Sequence, residues 1–205
     1  MKTWPEFYDH VLPDVPDCNP AMADIALRHA ARQFCDGTLA WHEWRGPVNT
    51  VALITEYSFA VAATEEVVKL LGATLDDLPL TVQAFNDLPI NWKVSPGVSG
   101  GILTEDRRSY FVVPARAAGL KVKTWVALKP SNSATGVSDV IFAQYLEQIA
   151  MGAKSRLMMS PKKPYTDMNL GAVLAMNFKD AIADTAIKVA KSFSRNPRRV
   201  KPMFF

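Results

Sequence analysis

The chain holds only two cysteines and three histidines in 205 residues, a thin supply for metal binding or nucleophilic catalysis. Cys18 and Cys35 form no Cys-x-x-Cys pair, and no histidine stands near them at zinc-ligand spacing. They are expected to be free thiols in a reducing cytosol. No apolar run approaches the roughly 20 residues of a spanning helix, and no charged-then-apolar leader follows Met1, so neither membrane insertion nor secretion is expected. Also missing are a His-x-x-x-His pair, a Gly-x-Ser-x-Gly elbow and a glycine loop ending in Gly-Lys-Ser/Thr. Charged residues make up 21% and hydrophobic ones 49%, which excludes a disordered or highly charged scaffold and allows one sizeable core.

The groups that remain give weak signals of chemistry. His10 closes a short helix before Pro13, where a cationic tip suits the helix dipole. His29 lies mid-helix beside Arg28. His42 alternates with Trp41 and Trp44 in a strand, a better setting for a ring-stacked or surface histidine than for a general base. The carboxylate pairs Glu65-Glu66 and Asp76-Asp77 read as solvated surface, and Glu105 to Arg108 as a self-neutralising hairpin tip. The glycines between Gly97 and Gly101 lack the strand-before, helix-after context of a dinucleotide site. No catalytic residue, metal site or cofactor is expected.

Prolines are plentiful, 14 in all, or about 7% of the chain against an average near 5%. They punctuate it into short elements. Thr3 caps a helix with Pro5 in its first turn and Glu6 at the capping-box position. Asn19 caps a second helix with Pro20 at its first position; Ala23, Leu27, Ala30 and Phe34 share one face, and Gly37 is the expected stop. From Leu39 to Leu128 the texture becomes β-like. Strands are expected over Leu39 to Arg45, Val48 to Leu53, Ser58 to Val61 and Glu66 to Ala73. Asp76-Asp77 would turn into an edge strand Leu78 to Val82 carrying Pro79. Gln83 to Leu88 would form a helical turn and Ser95 to Gly101 an exposed loop. Ile102 to Thr104, Ser109 to Val113 and Lys121 to Leu128 would close a meander with one wet face.

Helices return after the polar loop Asn132 to Gly136. Asp139 to Met159 carries an apolar stripe (Ile141, Phe142, Tyr145, Leu146, Ile149, Ala153, Leu157), with Gly152 marking close approach of a neighbour. Thr166 or Asp167 starts a last helix of roughly seven turns at 3.6 residues each. Its stripe is Leu170, Val173, Leu174, Phe178, Ala181, Ile182, Thr185, Val189 and Phe193, and Asn196-Pro197 ends it. The order helices, sheet, helices predicts an α+β protein that is mainly a helical bundle (residues 1–38 and 138–194). Inserted in it would be a small antiparallel β-lobe (39–137), with an extended C-terminal arm (195–205) at the end.

Net charge is +3 but unevenly placed: Lys188, Lys191, Arg195, Arg198, Arg199 and Lys201 fall in the last 18 residues with no acid among them, leaving −3 for the rest. A basic tail on a slightly acidic body points to an acidic partner or nucleic acid. Arg195, Pro197, Arg198, Arg199, Val200, Lys201, Pro202, Met203, Phe204 and Phe205 read as a docking arm, in which cations steer and the prolines and phenylalanines stiffen and anchor. The alternative is a small nucleic-acid-binding accessory protein acting through the same tail. No helix-turn-helix, zinc finger or aromatic RNA-binding sheet accompanies it.

Several segments also carry a family likeness. Val126-Ala127-Leu128-Lys129-Pro130-Ser131, Ala134-Thr135-Gly136-Val137, Glu147 to Ala153 and Pro161-Lys162-Lys163-Pro164-Tyr165 resemble tailed-bacteriophage head-to-tail adaptor (connector) proteins. Thr3-Trp4-Pro5-Glu6-Phe7-Tyr8, Val11-Leu12-Pro13 and Ala30 to Cys35 are similar to the same family's opening. The likeness covers about half the chain, at both ends; Asn49 to Gly119 matches only in β texture. The resemblance implies a helical bundle with a β-insertion, assembled as a homo-oligomeric ring, commonly twelvefold, beneath the portal at the virion neck. Such a ring is put together in the host cytoplasm and carries a downstream tail or nozzle protein. Genomic DNA passes through its channel without sequence-specific binding. In this family the C-terminal segment docks on the portal, which by position and character falls here on Arg195 to Phe205.

Overall fold

The computed structural model describes residues 1–84 and 100–192, which form four α-helices and nine strands. The chain divides into two compact units: residues 1–6 with 41–144, and residues 7–40 with the chain from 145 on.

The first unit is built on a seven-stranded sheet. Its strands are β2 (His42–Asn49), β3 (Glu56–Ser58), β4 (Glu65–Leu75), β5 (Leu78–Val82), β6 (Gly101–Leu103), β7 (Ser109–Val113) and β8 (Lys121–Pro130), in the spatial order β2-β8-β4-β5-β6-β7-β3. A separate antiparallel pair joins β1 (Lys2–Thr3) to β9 (Gly136–Val137). All neighbours in the large sheet run antiparallel except β5 and β6, which are parallel.

The expected fold, a mainly α-helical bundle carrying a small antiparallel lobe, is therefore incorrect. The protein is α+β with a large curled mixed sheet, a half-barrel in shape. Length and bulging explain the difference. β4 and β8 are 11 and 10 residues long, and two register shifts in β4, between Val67 and Lys69 and between Leu70 and Gly72, bend it along β8. A third shift in β2, between Arg45 and Val48, contains Gly46 at φ +106°; a side chain there would meet the Val122 carbonyl at 2.8 Å. Nor is there a meander: β8 lies between β2 and β4, away from β7.

The Asp76-Asp77 turn forms as the sequence predicts. Both residues have positive φ (47° and 66°), the geometry of a two-residue hairpin whose twist matches its strands. Asp76 is tied further, its carboxylate accepting from the Lys121 N–H at 2.7 Å and its own N–H donating to the Lys121 carbonyl at 2.9 Å. β5 is not an edge strand, since β6 flanks it, but β6 pairs only with Thr81 and Val82 and leaves Pro79 unchallenged.

The alternation of β8 holds except at Ala127, which its spacing puts on the wet face and the structure buries. Val122, Thr124, Val126 and Leu128 are buried, while Lys121, Lys123, Trp125 and Lys129 keep solvent access. The wet face does not extend to β6 and β7, where Gly101 to Leu103 and Tyr110 to Val113 are all buried. Leu103, Phe111 and Val113 cluster on one side, and Tyr110 lies against the rings of Tyr57 and Phe59 at 5.8 and 5.1 Å. Trp4, also buried, donates its indole N–H to the Ala134 carbonyl at 2.9 Å.

In the second unit α1 (Tyr8–Val11) precedes α2 (Pro20–Thr38), whose cap Asn19 accepts from the Ala21 N–H at 2.9 Å. Ala23, Leu27, Ala30 and Phe34 are buried as their spacing predicts. Gly37 is not the stop. Left-handed Leu39 (φ 55°) ends α2, and Gly37 instead makes room for Ile182, whose methyl lies 2.6 Å from where a Cβ would be. α3 (Asp139–Met158), expected as one continuous helix, breaks at Tyr145 (φ −132°), whose ring lies 4.9 Å from that of Phe34. Beyond the break, His10 to Glu147 (3.2 Å), Lys154 to Asp14 (2.7 Å) and Arg156 to Gln33 (2.6 Å) tie α3 to the preceding helices. α4 (Met168–Ala190) starts at Asp167, which accepts from the Leu170 N–H at 2.9 Å. Gly152 has the role its position suggests: a Cβ there would stand 2.7–2.9 Å from the Phe178 ring.

Candidate partner-docking surfaces

The residues expected to dock the portal, Arg195 and Pro197 to Phe205, lie outside the described residues, as do Phe193, Asn196 and residues 85–88 and 95–99 of the expected helical turn and loop. The element leading to the arm is described. α4 ends at Ala190 and does not run on to Asn196-Pro197, because Ser192 takes a left-handed φ of 53°. Exposed Lys188 lies in its last turn.

α4 is apolar on two sides. Gly171, Phe178 and Thr185, two turns apart, are buried, and Leu174, Ala181, Ile182 and Val189 beside them are half-buried. Leu170 and Val173, assigned to the same stripe from spacing, are instead 44% and 51% exposed. Val173 belongs to the opposite side with Met176 (61%), Ala183 and Ile187 (54%), residues at spacings of three, seven and four that share one helical face. Asp180 is the charged residue within that row. The signal was present in the sequence: apolar residues spread over more of the helix than one 3.6-residue stripe needs.

A second surface lies on the wet face of the sheet. Register puts Trp44 opposite Trp125 and His42 opposite Ala127. The Trp125 ring centroid lies 4.9 Å from that of His42 and 5.3 Å from that of Trp44, both pairs tilted, so His42 contacts a ring without stacking on it, and Trp44 remains 51% exposed. Next to it is an open depression of about 420 Å³ lined by Trp44, Gly46, Thr74, Asp77 and Lys123. The Lys123 ammonium sits 2.7 Å from Asp77 and holds that carboxyl below its ordinary range.

A third surface belongs to the helical unit. Gln33, Ser155, Arg156, Met159, Ala175, Phe178 and Lys179 line an open hollow of about 370 Å³ where α2, the end of α3 and α4 meet. Met159, Ala175 and Phe178 make part of its lining apolar, and two exposed cations, Arg156 and Lys179, line it as well.

The titratable residues weighed for chemistry are dispersed. His10 faces Glu147, and His29 is exposed on α2. Glu65 is not solvated surface: its side chain is 12% exposed, and it accepts from the Arg45 guanidinium at 2.7 Å and from the Ala62 N–H at 3.3 Å. Asp106 does sit at a hairpin tip, where the Arg108 and Ser109 N–H groups donate to it at 2.9 and 3.0 Å and hold its carboxyl below the usual range. The Tyr8 hydroxyl, pushed up to about 12 by burial and by its 2.7 Å bond to Asp24, stays neutral. Cys18 and Cys35 are buried and not joined in a disulfide. Among the described residues no group of three or more His, Cys, Asp or Glu converges on a point, and no helix is long and apolar enough to cross a membrane. No protein-family model matches the chain, and no curated protein matches it.

Proposed function

We propose that the chain is a virion structural protein, a head-to-tail adaptor without catalytic activity. Copies assemble into a ring, twelvefold as in the family it resembles, between the portal and a downstream tail or nozzle protein at the neck of the particle. The ring extends the channel through which genomic DNA passes without sequence-specific contacts. The basic, phenylalanine-ended segment from Arg195 to Phe205 grips the portal.

The observation that carries this reading is the two-sided apolar character of α4. A helix that buries one face in its own unit and offers Val173, Met176 and Ile187 on the other is built to be covered by another chain. The adaptor-like segments at both ends of the sequence supply the class of assembly. Deleting Pro197 to Phe205 should leave a folded protein that no longer decorates portal-containing heads; retained decoration rejects the arm.

The six basic residues from Lys188 onward, unopposed by any acid, favour a second reading, a nucleic-acid-binding accessory protein. It predicts that the free chain binds duplex DNA with an affinity falling steeply with salt, whereas an adaptor protomer shows little affinity.

A further inference from the structure

The turn between β2 and β3 combines features that folding alone does not require. The run Val48 to Leu53, expected as one strand, divides at Asn49, where β2 ends. Val51, Leu53 and Ile54 then stand 49%, 91% and 45% exposed. Leu53 has a φ of 67°, a left-handed conformation that favours Gly, Asn or Asp and disfavours a branched apolar side chain. A solvent-facing tip with that backbone calls for a small polar residue on two counts, and leucine meets neither.

The turn is nevertheless firmly held. Thr50, buried at its base, donates its hydroxyl to the Ala117 carbonyl at 2.6 Å and accepts from the Leu120 N–H at 3.0 Å. Its N–H donates to the Leu120 carbonyl, and its carbonyl accepts from the Gly119 N–H, both at 2.8 Å. On the other side the Tyr57 hydroxyl accepts from the Val51 N–H at 3.0 Å and donates to the Ile54 carbonyl at 2.9 Å. The Tyr57 ring is itself stacked on Tyr110. A pinned turn loses little further freedom when it docks, so it presents Leu53 as a preorganised apolar knob.

We propose that Leu53 inserts into the helical hollow of a second copy of this chain, against Phe178, Met159 and Ala175. Two observations select that occupant. The hollow, at about 370 Å³, is large enough for a leucine side chain and is lined in part by Phe178, Met159 and Ala175. Charge also matches: exposed Glu56, three residues beyond Leu53, brings a carboxylate toward Arg156 and Lys179. A knob on one unit and a socket on the other make a heterologous contact, which generates a closed ring when the rotation permits and an open filament when it does not. This inference rests on the ring assembly proposed above and names the contact that builds it.

The test uses the full chain as two single variants, Leu53→Cys and Ala175→Cys, mixed with portal rings and without them at high protein concentration, then oxidised. Cys18 and Cys35 are buried, and the unmodified chain is the control. The expected result is a disulfide that joins one Leu53→Cys copy to one Ala175→Cys copy and is absent from either variant alone. Rings that assemble without this cross-link overturn the knob contact and leave the ring standing. A cross-link without rings supports the contact and rejects the ring; neither product rejects both. A separate variant guards against misfolding. Leu53→Asn suits the left-handed backbone, so it should raise the melting temperature of the monomer, while loss of the apolar anchor should weaken self-association at least about tenfold. Unchanged self-association in that variant also overturns the contact.

Discussion

At the scale of single residues, the tightest constraint is Gly152 in α3. An alanine there gains up to about 1 kcal/mol of helix propensity but drives its Cβ to within 2.7–2.9 Å of the Phe178 ring. Overpacking of this kind typically costs about 1–3 kcal/mol, and α4 sets the ring's position, so Gly152→Ala should lower stability by about 1 kcal/mol in urea unfolding. An unchanged midpoint contradicts the close helix contact. Asp106 gives a pH test. Its carboxyl is held below the ordinary range by N–H donors that the unfolded chain lacks. Its stabilising contribution is therefore complete above the unfolded value near 4 and is lost as pH falls through the lower folded value. Carbon-detected NMR titration should place its midpoint below that of an unstructured aspartate. Gly152 was legible in the sequence, because a glycine in the middle of an apolar helical stripe sacrifices helix propensity and so marks a close neighbour. Gly37 was not, because a glycine near a helix end is compatible both with a cap and with a close neighbour.

At the scale of elements, the N-terminal caps of the long helices and one tight turn were legible because each is settled locally, between adjacent side chains and backbone, while the C-terminal stops were not. Asn19-Pro20, Asp167 and Asp76-Asp77 all have the predicted geometry. Sheet order was not legible. The parallel pairing of β5 with β6, and the position of β8 between β2 and β4, join segments distant in sequence and leave no periodic trace. Bulges further disguise long strands, since each extra residue reverses the alternation that marks a face. On α4 the apolar content was legible but its partition was not, because one helix serving two surfaces blurs the single stripe that periodicity detects. If the outer face of α4 is an inter-subunit surface, Met176→Asp with Ile187→Asp should leave the circular dichroism spectrum and melting temperature of the free protein nearly unchanged. Both side chains are more than half exposed, so the folded monomer does not depend on them. Sedimentation velocity in the presence of portal should then show assembly abolished. Assembly by the double variant assigns that face to something else.

At the scale of the whole molecule, the sequence conveyed an α+β chain whose helical ends flank a β-rich middle, but it understated the sheet. Short apolar runs between turn residues look like a minor lobe when counted one by one. Their seven-strand pairing makes the sheet the frame of its unit. The expected docking arm was conspicuous in sequence through charge and terminal phenylalanines. The other surfaces were legible only in part: the apolar spread of α4 and the wet face that carries Trp125 show in the spacing, whereas the exposure of Leu53 does not. The adaptor proposal requires that such surfaces be used together, in copies of the chain arranged around an axis. The most direct test mixes the full-length protein with purified portal rings and images the product by electron microscopy. The account predicts a ring of this protein stacked coaxially on the portal, with a continuous central channel. Portal rings that remain bare at saturating protein contradict it.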